Sequence, residues 1–202
     1  MPGISVDFLL DLGLAFLGYL CGSLPFAVWV TRWLKGADVR SSGSGHATAT
    51  NTLRQAGWGA GVLVLLLDIT KGFLPVYLAG RFGNSEWVTP VTAALTVVGH
   101  CWPVFANFRG GMGLATSGGS ILALSPLGFL IGVAILVVLV LLIHHSARAS
   151  VVTGLIIPWV YRLVGMREVL FQATLALGLV VAIRFLVDWN RRYRELWLDR
   201  EK

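Results

Sequence analysis

Leu114 to Ile143 reads LATSGGSILALSPLGFLIGVAILVVLVLLI, 30 residues without a charge and with one proline, Pro126. Whether this is one helix or two decides the fold. A helix needs roughly 20 apolar residues to cross a bilayer. The stretch is too long for one upright span and short for two full ones. Proline breaks a helix and turns its predecessor away from helical geometry, which favours a break at Ser125-Pro126. One long helix would give six spans. The cations Arg32, Lys35, Arg40 and Arg54 would then face the opposite side from Arg191, Arg192, Arg194, Arg200 and Lys202. Both clusters belong on the cytoplasmic side. The break gives seven spans, with the N-terminus outside and the C-terminal tail inside.

Outward from this stretch the chain has the same character. Of its 202 residues, 56% are hydrophobic and 13% charged, and its mean hydropathy is +0.77. That is too little charge to cover a water-soluble domain. The two-residue alternation of a membrane β-barrel is missing. The expected fold is all-α, a polytopic membrane bundle forming one domain over residues 1–202. Its spans are roughly Phe8 to Trp33, Gly59 to Leu78, Trp87 to Phe105, the two halves of the opening stretch, Ser150 to Tyr161 and Glu168 to Val187. The fourth and sixth are short, which burial in a bundle tolerates. No Lys or Arg precedes the first apolar run, so a cleaved secretory signal is not expected. The net charge of +6 sits at span ends, where it meets lipid headgroups, not nucleic acid. Cys21 and Cys101 read as apolar packing residues.

Under this topology three polar links share the cytoplasmic face: residues 37–54, residues 108–116, and His144 to Ser150. Glycines let successive backbone N–H groups point into one concavity that suits an anion. Gly43-Ser44-Gly45 and Gly110-Gly111-Met112-Gly113 have that composition. Each precedes an expected helix start, where free N–H groups also favour an anion. Arg40, Arg54 and Arg109 add forked cationic donors; Ser44, Thr48, Thr50, Asn51 and Thr116 add neutral ones. The blander alternative is that glycines ease helix packing and arginines mark the inner boundary. With two such links on one face, phosphate binding is the stronger reading. Asp68 and Lys71, at i and i+3, pair on one helix face, either beneath the site or within it. His100 and Cys101 have no further ligands to complete a metal centre.

These residues resemble a known family, the bacterial acyl-phosphate:glycerol-3-phosphate acyltransferases. GSGHATATNTLR, from Gly43 to Arg54, is similar to its motif GSGN-x-GATN-x-x-R. Asp68, Lys71, Gly72 and Pro75 match D-x-x-KG-x-x-P. GHCWPVFANFRGGMGLAT, from Gly99 to Thr116, is similar to GH-x-x-PVF-x-x-FKGGKG-x-AT. The resemblance implies seven transmembrane helices in the bacterial plasma membrane with the motifs on the cytoplasmic face. It implies that the 1-hydroxyl of glycerol 3-phosphate attacks an acyl phosphate, giving lysophosphatidic acid and phosphate, without coenzyme A, cofactor or metal. It also implies a monomer whose partners are these substrates and membrane lipids. By position, Ser44, Asn51, Arg54 and Arg109 would be catalytic. Arg40, Gly43, Gly45, His46, Thr50, Lys71, His100, Gly110, Gly111, Gly113, Thr116, Arg148 and Ser150 would bind substrate, with His100 supporting the second glycine loop.

The chain departs from the pattern at His46 (usually Asn), Thr48 (Gly), Arg109 and Met112 (both Lys), and Ala147 (Ser). Phe185 and Asp188 stand where the tail usually has His and Asn. Met112 removes a cation, and Arg148 is the expected substitute. A paralogue that binds headgroups without turnover is the alternative. An acyl-CoA enzyme would need a His and Asp separated by four residues; the positions five after each histidine are Asn51, Phe105, Ala149 and Ser150. A transporter would place its polar residues at the midplane, not at one face.

Overall fold

The computed structural model describes residues 5–191; the tail cations Arg192, Arg194, Arg200 and Lys202 lie outside them. Regular structure among the described residues is helical: α1 (Val6–Gly22), α2 (Phe26–Lys35), α3 (Ala49–Ala56), α4 (Trp58–Phe82), α5 (Val88–Cys101), α6 (Leu114–Leu124), α7 (Pro126–Ile143), α8 (Ser146–Leu163) and α9 (Glu168–Leu186).

The opening stretch is two helices. Ser125 is extended (φ −161°, ψ 111°) and its hydroxyl accepts from Gly128 N, capping α7. Pro126 takes the first helical position, where a missing N–H costs nothing. Three expectations need correction. The first span is broken between Gly22 and Phe26, because Pro25 supplies no N–H to a continuing helix. The link 37–54 is not all loop, since it contains α3. The link from His144 to Ser150 is helical from Ser146 onward, with the His145 ring accepting from Arg148 N at 3.5 Å.

Five segments are long and apolar enough to cross a membrane: α1–α2 together, α4, α5 with its following turn, α7 and α9. α6 has only 11 residues, and α8 carries Arg148 and Arg162. The chain is thus an all-helical, polytopic membrane bundle, with α6 and α8 outside its five long apolar segments.

Lipid gives apolar helices little reason to associate, so close backbone approach must. Glycines provide it. A Cβ on Gly22 in α1 would collide with the Thr96 carbonyl in α5; one on Gly72 in α4 with the Thr116 carbonyl in α6; one on Gly178 in α9 with the Gly154 carbonyl in α8. The α4–α6 and α8–α9 contacts set the walls between which the site lies.

Candidate active site

The first polar segment is organised around Asn51. Its side chain is fully buried and spends its whole hydrogen-bonding capacity on the loop. The amide donates to Val39 O (2.8 Å), His46 O (3.0 Å) and Ser42 O (3.2 Å), and Oδ1 accepts from Ser44 N (3.2 Å). Gly43, at φ +61°, passes so close to this amide that a side chain there would strike Oδ1. Asn51 therefore shapes the loop and does not line the cavity.

Arg40 joins this segment to the second one. Its Nε and Nη2 donate to Asp38 at 2.9 and 2.7 Å, and its Nη1 donates to Ala106 O and Arg109 O at 2.8 and 3.0 Å. The Arg40 guanidinium holds the Asp38 carboxyl well below the usual carboxylate range. Ala47 N adds a backbone bond to Gly110 O at 3.3 Å. The two glycine loops thus form one body. Arg40 itself is consumed as a clamp and is not a substrate cation.

The second loop is only partly the expected nest. Gly110 N and Gly111 N donate back to Cys101 O and His100 O, at 3.2 and 3.1 Å, the open carbonyls at the end of α5. Side chains at either glycine would overlap the His100 residue. The amides left for an anion are those of the first turn of α6, which have no intrahelical acceptor. Gly113 caps that turn in the left-handed region, φ +89°.

These segments meet at a cavity of about 500 Å³. Ser44, His46, Thr50 and Arg54 line it from the first segment, Met112 and Gly113 from the second, and Ser146 and Ser150 from α8; His100 and Asp68 reach it from α5 and α4. Three sequence-distant links do converge. The polar mouth continues into an apolar space of about 90 Å³ between α6, α7, α8 and α9. Leu114, Gly118, Phe129, Val133 and Leu136 line both.

Several predicted residues lie elsewhere. The Arg109 side chain is exposed outside the cavity. Thr116 is fully buried, and its backbone packs on Gly72. Lys71 sits beneath the site, bonded to Leu24 O at 2.9 Å and paired with Asp68 at 2.8 Å. Arg148 does not replace the cation missing at Met112: its Nε donates to Trp189 O at 3.2 Å and it stacks on the Trp189 ring. Met112 is 8% exposed and belongs to the apolar core. Arg54 is the arginine that lines the cavity.

Of two residues in α9 and its C-terminal extension, Arg184 was not anticipated from the sequence and Asp188 only as a departure from the family's tail pattern. Arg184 Nε donates to Gly111 O at 2.8 Å, and its Nη2 lies 3.4 Å from His46 Nδ1. Asp188 Oδ2 lies 2.8 Å from His46 Nε2. Burial pushes the His46 imidazole below its ordinary pKa; the Asp188 carboxylate opposes this, and Arg184 and Arg191 add to it. An arginine inside an apolar span was the available signal for Arg184.

The family described as glycerol-3-phosphate acyltransferase matches residues 12–195. The chain is 41% identical over 157 residues to the glycerol-3-phosphate acyltransferase of Rubrobacter xylanophilus, covering 78% of each protein. It is 39% identical over 188 residues to that of Myxococcus xanthus, covering 93% of this chain and 95% of the relative. It is also similar to the crystal structure of PlsY, an integral membrane glycerol 3-phosphate acyltransferase, in its glycerol 3-phosphate form. There the TM-score is 0.80 at 34% identity over 90% of both chains. The lysophosphatidic acid form gives 0.79 at 33%.

Proposed function

The chain belongs to the glycerol-3-phosphate acyltransferase family, and from that premise we propose that it transfers an acyl group from an acyl phosphate to the 1-hydroxyl of glycerol 3-phosphate. The products are lysophosphatidic acid and inorganic phosphate. The observation that carries this reading is the form of the cavity. Its mouth is lined by Arg54, Ser44, Thr50 and the open end of α6, and its far end by apolar side chains. A phosphorylated polar head with an acyl tail fits that division.

Acyl phosphate is already activated, so the enzyme supplies position and charge stabilisation. Arg54 meets phosphate oxygens as a forked donor. Free amides of α6 meet a second anionic group, in keeping with its helix dipole. Ser44 and Ser150 offer hydroxyls at the mouth. The acyl chain extends between α6, α7 and α8. No metal or coenzyme takes part in this scheme.

In this reading the chain acts as a monomer. It forms one domain of seven spans in the bacterial plasma membrane, α6 and α8 being the two beyond the five long apolar ones. The N-terminus faces outward and the C-terminal tail faces the cytoplasm, where both substrates are met.

The test is purified protein with glycerol 3-phosphate and palmitoyl phosphate, following phosphate release and lysophosphatidic acid together. Turnover well above a Ser44→Ala, Arg54→Ala double variant is expected. Substrate binding without turnover in the unaltered protein would overturn the catalytic reading in favour of a headgroup-binding paralogue.

A further inference from the structure

The cavity contains a histidine–carboxylate pair that positioning alone does not require. His46 Nε2 and Asp188 Oδ2 are 2.8 Å apart, between residues 142 positions distant in sequence, and the side chains are 12% and 3% exposed. Both line the same cavity as Arg54 and Ser44. The His46 backbone is held on both sides: its N–H donates to Ser44 Oγ at 3.4 Å and its carbonyl accepts from Asn51 at 3.0 Å. The imidazole therefore sits on a fixed loop, and Asp188 fixes its ring.

The neighbouring arginine favours one tautomer. A guanidinium only donates, so the His46 nitrogen facing Arg184 Nη2, Nδ1, carries the lone pair. Nε2 then carries the hydrogen and donates it to Asp188. That contact to Arg184 is long, 3.4 Å, while Arg184 Nε holds Gly111 O at 2.8 Å. An alcohol donating to Nδ1 has only this long contact to displace, and Arg184 keeps its shorter bond to the glycine loop.

We infer that His46 is the general base for the acceptor hydroxyl, with Asp188 as its positioning residue. The inference rests on the acyl-transfer reading and names the group that moves its proton. The 1-hydroxyl oxygen forms the new bond to the acyl carbon as its proton passes to Nδ1. The adduct collapses with cleavage of the bond between acyl carbon and phosphate oxygen. The phosphate leaves with that electron pair and takes the proton from Nδ1, so His46 ends neutral and the atoms and charges balance. The depressed basicity of the buried ring keeps it unprotonated at neutral pH, as a base must be. The charged groups that face it are Asp188, Arg184 and Arg191; Arg54, His100 and Asp68 line the same cavity.

The experiment is the pH dependence of kcat and KM for glycerol 3-phosphate, with palmitoyl phosphate as donor, in the unaltered protein, H46Q and D188N. Thermal unfolding of each in detergent reports folding. The unaltered enzyme should lose activity through one ionisation on the acid side, below the ordinary histidine value of about 6.5. H46Q should lose that limb and about 100-fold or more in kcat, with KM changed less than about threefold. D188N removes the charge that favours the imidazolium, so its limb should move to lower pH. An H46Q protein that folds and keeps full kcat, or keeps the same acid limb, overturns the inference. So does a D188N limb that stays in place. Absence of turnover in the unaltered protein overturns the acyl-transfer reading instead.

Discussion

Arg54 and Asn51 show how differently two polar residues of one motif are used. Arg54 keeps its place on the cavity wall, while Asn51 vanishes into the loop it organises. Removing the cation should therefore act on the chemistry. Arg54→Ala is expected to lower kcat/KM by about 100- to 1,000-fold, the usual effect of losing a donor aimed at developing charge; phosphate-release kinetics check it. Removing Asn51 should act on the fold. Asn51→Ala leaves the buried Ser44 N without its acceptor and takes one donor each from Val39 O, Ser42 O and His46 O, which keep Gln55 Nε2, Gly45 N and Thr48 N between them; an unpartnered buried group costs about 1–3 kcal/mol before relaxation. A clear drop in melting temperature in detergent is the expected reading. The residue types that suit phosphate were legible in the sequence. The division between builders and contacts was not, because it depends on which way each side chain turns. Arg40, Lys71 and Arg148 were all read as cations for substrate and are instead committed to protein groups.

At the scale of elements, the two glycine loops are one unit held by Arg40, which bonds Asp38 on one side and two carbonyls on the other. The Asp38 carboxyl has a folded-state pKa below its unfolded one. A group shifted downward stabilises the folded state fully above its unfolded pKa and loses that contribution as pH falls through the folded value. The clamp is therefore constant through neutral pH and released only in acid, below the ordinary carboxylate range. Asp38→Asn should abolish that acid step in a pH series of melting temperatures. α6 illustrates how an element's limits can be legible while its contacts are not. Gly113 and Pro126 mark its limits in the sequence, and both hold. That Gly110 and Gly111 turn their amides back to α5, and leave the first turn of α6 to meet an anion, is decided by contact between helices. The break at Pro25 had the same signal as Pro126 but lay within an apolar run of ordinary spanning length plus a turn, so nothing in the length called for it.

At the scale of the whole molecule, the cavity narrows from its polar mouth to the apolar space where Gly118 faces Phe129 across the neck. Gly118→Leu should obstruct a long chain and spare a short one. Turnover of palmitoyl phosphate is expected to fall at least about tenfold and that of butanoyl phosphate by less than about threefold, in keeping with what a few methylenes are worth in an apolar pocket. The orientation can be checked in intact cells: a cysteine replacing Ser42 should be shielded from an impermeant maleimide, and one replacing Asn84, between α4 and α5, should react. The reverse pattern would invert the proposed topology. By itself the sequence determined the solvent and the architecture. Charge-poor apolar runs can only be satisfied in lipid as helices, and proline and glycine mark where those helices stop. It also determined the family, through motifs long enough to identify it. Only the tertiary structure decided that His46 meets Asp188 and that Arg184 braces Gly111. Those partners are 142 and 73 positions apart in the chain, and no local periodicity records which distant helix will bring its side chain within hydrogen-bonding reach.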